Sequence, residues 1–332
     1  MRRLDYAIHI LYKTRMPEEK EPVPKYVRIL IGAIFGGCLG LAIAIFLPAG
    51  DSGPDFEFVR QTEHLEIHTN LESKPLDHYE RFFEGFIKVF SERYFEVNQK
   101  RRLKMYLISD QDNYREFVKK NFPSFTTPFG FFSARKNMIV INLSRGLGTA
   151  THELVHHFRH VAFVRRPPTW VDEGFASFFE KFIGYLDDQG ELHIYLGYFS
   201  NWRFPDTQSR VASIGLKTLA TFNSNDQGVA RTVMLFLHRK NLLVKFIRRA
   251  KDGCRSDCFS ELSEIYGTDL ATFERDWKTW IAAQTDQRDI MMVPLAFISN
   301  QESWDSWLES TKDRYTWSEE QKRYVPKQRV GS

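Results

Sequence analysis

A chain of 332 residues with 42% hydrophobic and 27% charged side chains can bury a sizeable core, which excludes wholesale disorder. Its formal net charge of +4 is mild and its basic residues are scattered, so a nucleic-acid partner is not expected. Its three cysteines include no second pair for a zinc knuckle.

Residues 1–28 read as a cytoplasmic tail in which Arg2, Arg3, Lys13, Arg15, Lys20, Lys25 and Arg28 outnumber Asp5, Glu18, Glu19 and Glu21. Residues 29–47, ILIGAIFGGCLGLAIAIFL, are nineteen in a row without a charge. As a helix they cover about 28 Å, close to the hydrocarbon thickness of a bilayer. Asp51, Asp55 and Glu57 follow, with no base until Arg60. The positive-inside bias therefore predicts a single-pass anchor with everything beyond it periplasmic or extracellular. A cleaved signal peptide is the competing reading, but the basic leader is long for one and FLPAGD is a poor cleavage site. Gly32, Gly36 and Gly40, spaced by four, would let two anchors approach as a homodimer, although glycine is common in membrane helices anyway.

Residues 48–56 form a linker, and residues 57–285 one domain in which strand and helix patterns alternate. Residues 64–70 (HLEIHTN) alternate as a half-buried strand does. Tyr79, Phe82, Phe83, Phe86, Ile87 and Phe90 recur at helical spacing within residues 76–95. LKMYLIS is a second strand. DQDNYREFVKKNF is a helix with Asp110 or Asp112 as its cap. NMIVINL (residues 137–143) is a third strand; it could serve as a rim for an extended peptide, but a core strand with Ile139, Ile141 and Leu143 on one face is preferred. After Gly146 and Gly148 comes a helix carrying THELVHHFRH, with Thr149 or Thr151 near its N-cap.

Pro167 and Pro168 break the chain before a second helix, VDEGFASFFEKFIGYL. Residues 211–283 are mostly helical. Within them Cys254 and Cys258, four apart across a polar turn, form either a local disulfide, which fits an oxidising compartment, or two free thiols. Residues 286–332 are an extension without an assigned role.

His152, Glu153 and His156 spell HExxH. Helix positions four apart share a face about 6 Å apart, so both imidazoles reach one ion. Glu153 beside them is placed to take a proton from a metal-bound water. Glu173 lies seventeen positions after His156, beyond the Pro-Pro break, where the chain has room to turn back. Catalytic zinc uses three protein ligands and an open position, and His152, His156 and Glu173 supply that set. Asp172 competes as third ligand but projects from another side of the helix. His157 and His160 are read as a continuing basic helix, and Glu180 as a solvated or ion-paired side chain rather than a support for the ligands.

HELVH…WVDEGFASFFE resembles the gluzincins, whose third ligand is a glutamate on a downstream helix. The wider pattern, over roughly residues 56–283, is similar to the bacterial peptidase-MA-like proteins. The resemblance implies an α+β, zincin-like domain: a small sheet, an active-site helix and a helical C-terminal half. It implies one Zn2+ held by His152, His156 and Glu173, with Glu153 as general base in hydrolysing peptide bonds of a peptide or protein substrate. No GAMEN-type segment precedes the motif, which weakens an aminopeptidase reading. In relatives a tyrosine often opens the helix that begins here near NDQGVARTVMLFL; Asn225 stands at that position and is the candidate catalytic donor, whereas His238, the other candidate by distance along the chain, is read as an ordinary polar residue near a helix end. The rival expectation is a non-catalytic envelope scaffold that keeps the same fold.

Overall fold

A computed structural model of the chain describes residues 56, 58–71, 73–187, 189–197, 204–284, 315–318 and 323–326. The expected anchor, with Gly32, Gly36 and Gly40, lies outside them. Among the described residues no helix is long and apolar enough to cross a membrane.

The first layer is a five-stranded mixed sheet of order β1-β2-β3-β5-β4. Its strands are Phe58–Gln61 (β1), Leu65–Thr69 (β2), Leu103–Ile108 (β3), Gly130–Ser133 (β4) and Met138–Asn142 (β5). β2, β3 and β5 run parallel, with Ile67 opposite Met105 and Met105 opposite Ile139. β1 and β4 are antiparallel edges. Side chains alternate between faces along a strand. Tyr106, Ile108, Val140 and Phe131 therefore pack with Phe117 of helix α2 (Gln111–Asn121) and with Phe122 just after it. Met105, Leu107, Ile139 and Ile141 join the larger core on the opposite face. That core is completed by α1 (Ser73–Arg93), α3 (Leu147–Ala162) and α4 (Thr169–Phe178). Each fully buried phenylalanine there stabilises the fold by about 1.5–3 kcal/mol. The preferred core assignment holds for Met138–Asn142: β5 is buried along its whole length and paired on both sides, so the rim belongs to β4, while Leu143, expected on the same face, opens a 3-10 turn instead.

The C-terminal half is a helical bundle: α5 (Phe204–Ser213), α6 (Gln227–Arg239), α7 (Leu243–Asp252), α8 (Phe259–Tyr266) and α9 (Leu270–Ala282). Strands Tyr315–Ser318 (β8) and Arg323–Pro326 (β9) pair antiparallel farther on. Cys254 and Cys258 are bonded to each other, with Cα atoms 4.9 Å apart.

Three local expectations are corrected. The active-site helix begins at Leu147, and its N-cap is Gly146, whose φ of +91° turns the chain out of the 3-10 turn Leu143–Arg145. Thr151 is therefore one turn inside, its hydroxyl donating to the Phe179 carbonyl at 2.8 Å. The run from Val171 is not one helix. It ends at Phe178, and Ile183–Leu186 (β6) forms a hairpin with Leu192–Tyr195 (β7). The helical run after Gln227 divides at Asn241, whose φ of +58° is left-handed; asparagine tolerates that conformation better than most residues.

Candidate metal centre

α3 leaves the sheet just after β5 and carries His152, Glu153 and His156 along its buried face. Two tightly packed glycines shape the site. A Cβ on Gly148 would collide with the Glu180 backbone, so α3 lies against the chain leaving α4. A Cβ on Gly174 would meet the Ala230 carbonyl oxygen at 2.9 Å, so α4 and α6 cross at backbone contact. This crossing turns Glu173 toward α3.

The three predicted ligands converge. His152 Nε2 and His156 Nε2 are 3.0 Å apart. Glu173 Oε2 is 3.6 Å from the first, and Oε1 is 3.6 Å from the second. One donor atom from each lies within 4.8 Å of the others. Donors about 2.0–2.1 Å from a tetrahedral centre stand about 3.3 Å from one another, so the spacing suits zinc.

The outer nitrogens show why a cation belongs there. His156 Nδ1 is 2.9 Å from Asp172 Oδ1, and His152 Nδ1 is 3.1 Å from Glu180 Oε1. A neutral imidazole has one N–H. With the His156 N–H directed at Asp172, its Nε2 lone pair and the Glu173 carboxylate face the same small space, and His152 Nε2 stands beside them. A divalent ion bound by a carboxylate-oriented His156 and by His152 fits that arrangement. Asp172 is itself held by Arg159 Nε at 3.0 Å and Arg166 Nε at 3.6 Å. It is therefore not the rival third ligand but the group that orients His156. Glu180 stands 3.1 Å from His152 Nδ1 as an ion-pair partner, within the expectation of a solvated or ion-paired side chain.

The charges follow the geometry. Burial raises the Glu173 pKa, but His156 and His152 outweigh it and leave the carboxyl below its ordinary value. Burial likewise works against a charged Asp172, yet His156, Arg159 and Arg166 hold it well below the usual carboxylate range. For His152 the opposing burial is outweighed by Glu173, Glu180 and Glu153, and the ring is pushed well above its ordinary value. His156 is raised by Asp172 and Glu173 over the same opposition. Glu153 differs: burial dominates and raises its pKa, with His152 and His156 opposing. The Phe132 backbone N–H on β4 acts on its carboxylate and also opposes the rise. A buried carboxylate with a raised pKa beside a metal site is suited to general-base work near neutral pH.

The remaining candidates fall outside the triad. His157 points away, its Nε2 2.8 Å from Gln99 Oε1. His160 lies against Phe132, and the His238 ring against Phe178. Asn225 is exposed in the 3-10 turn Ser224–Asp226, its backbone N–H donating to Asn223 Oδ1. The residue of that segment that reaches the centre is Gln227, first on α6, with Nε2 3.4 Å from Glu173 Oε2. Its position, two past the expected one, follows from the helix starting after the turn rather than within it. Comparison with protein-family models and with curated proteins finds no match to the chain. The HExxH…E spacing and ligand geometry are those of the zincins.

Proposed function

We propose that the chain is a zinc-dependent peptidase, anchored in the membrane through residues 29–47 with its catalytic domain periplasmic or extracellular. The observation that carries the catalytic part is the convergence of His152, His156 and Glu173 beside the buried Glu153. The uncharged run and the flanking charge bias support the anchor.

When bound, zinc supplies a Lewis acid that polarises a carbonyl and makes water acidic near neutral pH. The chain's own residues do the rest. Asp172 accepts from His156 Nδ1, which leaves the Nε2 of that ring free to coordinate, and the Glu180 carboxylate stands 3.1 Å from His152 Nδ1. Glu153 takes a proton from the attacking water and passes it to the leaving amine. Gln227 Nε2 is the nearby amide donor that can hydrogen-bond the carbonyl oxygen as charge builds on it; Asn225, out in the turn, would reach it only if that turn moved. The β4 edge offers backbone groups along which an extended peptide can pair.

Glu153→Gln tests this reading. The variant should keep stoichiometric zinc and lose hydrolysis of a peptide library by a factor of at least about 100. Unchanged turnover would remove Glu153 from the mechanism, and a wild-type chain that binds zinc without turnover would favour the scaffold reading. N-terminally blocked peptides separate an endopeptidase from an exopeptidase.

A further inference from the structure

α4 begins without a side-chain cap, since its N-cap residue is Pro168. Its first turn is instead fixed by Trp170. That indole is fully buried and stacks on Phe246 and Phe259, with centroids 5.9 and 5.6 Å away. Its Nε1–H donates to the Asp257 carbonyl at 2.8 Å. Asp257 belongs to the turn closed by the Cys254–Cys258 disulfide. Within that turn Ser256 has φ +45° and Cys258 φ +66°, both left-handed and neither a glycine. Residues with a Cβ keep such conformations where their surroundings over-determine them, and here the cross-link spans both. The turn is also tied to α8: Asp257 Oδ1 accepts from the Phe259 N–H at 3.0 Å, and the Arg255 N–H donates to Glu261 Oε1 at 2.9 Å. Two and three residues beyond Trp170 stand Asp172, which orients His156, and Glu173, the third ligand.

We infer that the Cys254–Cys258 turn is a clamp on the metal centre: its Asp257 carbonyl fixes Trp170, and Trp170 fixes the first turn of α4 with Asp172 and Glu173. Trp170 is thus a positioning residue that acts through α4. Opening the disulfide frees Ser256 and Cys258 to leave the left-handed region, which moves the Asp257 carbonyl. The buried indole N–H then loses its acceptor, a costly state that α4 relieves by shifting. The hold on the ion therefore depends on the oxidation state of a bond at the far end of the indole. The inference rests on the metal-dependent reading above.

The test is the rate at which a chromogenic chelator strips zinc from the loaded full chain. Cys254→Ser/Cys258→Ser should release the ion about tenfold faster, within the range for loss of groups supporting a metal ligand. Trp170→Phe keeps the stacking and loses the donor, and should do the same. Combining all three substitutions should add little to Trp170→Phe alone, because both act along one path. Treating the wild-type chain with a water-soluble phosphine should reproduce the cysteine variant. There the S–S bond breaks, the phosphine is oxidised to its oxide with water's oxygen, and two thiols form with water's two hydrogens. This arm also serves if the serine variant fails to fold, as circular dichroism would show. Wild-type release from the folded serine variant or from the reduced chain, or effects that multiply in the triple variant, would overturn the clamp. A wild-type chain that takes up no zinc would instead overturn the metal-dependent reading itself.

Discussion

His157 shows how differently neighbours on one helix are used. Its ring is fully buried, edge-on to Phe132, with Nε2 on Gln99. Burial, helped by the His160 charge, pushes its pKa from 6.5 down to about 4. Between those values the unfolded chain binds a proton that the folded chain refuses, so stability is complete above the higher value and is lost as pH falls toward the lower. The loss is about 3 kcal/mol. Denaturant unfolding of wild type and His157→Gln at pH 7 and pH 4 should show it: the wild type loses more stability than the variant. Equal losses would mean that His157 is not buried as a neutral ring. At this scale the ligands were legible, because HExxH has a fixed helical geometry and Glu173 stood beyond a chain break with room to turn back. The places of Asp172 and Gln227 were not. They depend on how α3, α4 and α6 cross, and nothing in local spacing encodes a crossing.

The crossing of α4 and α6 sets where Glu173 points, and it leaves no room for a methyl group at Gly174. The obstacle is the Ala230 backbone, which cannot rotate away as a flexible side chain can. Gly174→Ala should therefore force the helices apart, destabilise the fold by about 1–3 kcal/mol, and weaken zinc binding as well. Chemical denaturation and a zinc titration on the same sample measure both. A variant as stable as wild type would mean that the two helices pack less closely than described. The larger elements could be read from periodicity: β2, β3, β5, α1 and α2 fall close to their expected places. The errors came where pattern is ambiguous. FFEKFIGYL is apolar enough to fit a helix or a strand, and hairpin pairing with β7 decides for the strand. β4 (GFFS) is too short to show alternation, and β1 too exposed.

Across the described residues the sheet and the helical half share one continuous core, and the metal centre lies between α3 and α4 of the first and α6 of the second. A ligand that binds only the folded chain stabilises it by mass action, by about 2.7 kcal/mol at a hundredfold excess over its dissociation constant. Zinc should accordingly raise the melting temperature of the metal-free chain, and a chelator should reverse the rise. A melting temperature indifferent to zinc would count against the centre. The contact between Glu153 and the Phe132 N–H carries a last consequence. On the proposed reading, a polypeptide that docks along β4 would claim that N–H for its own carbonyl and uncover the glutamate as it arrives. Loading and arming would then be a single event, and the idle enzyme would keep its base muzzled by its own rim.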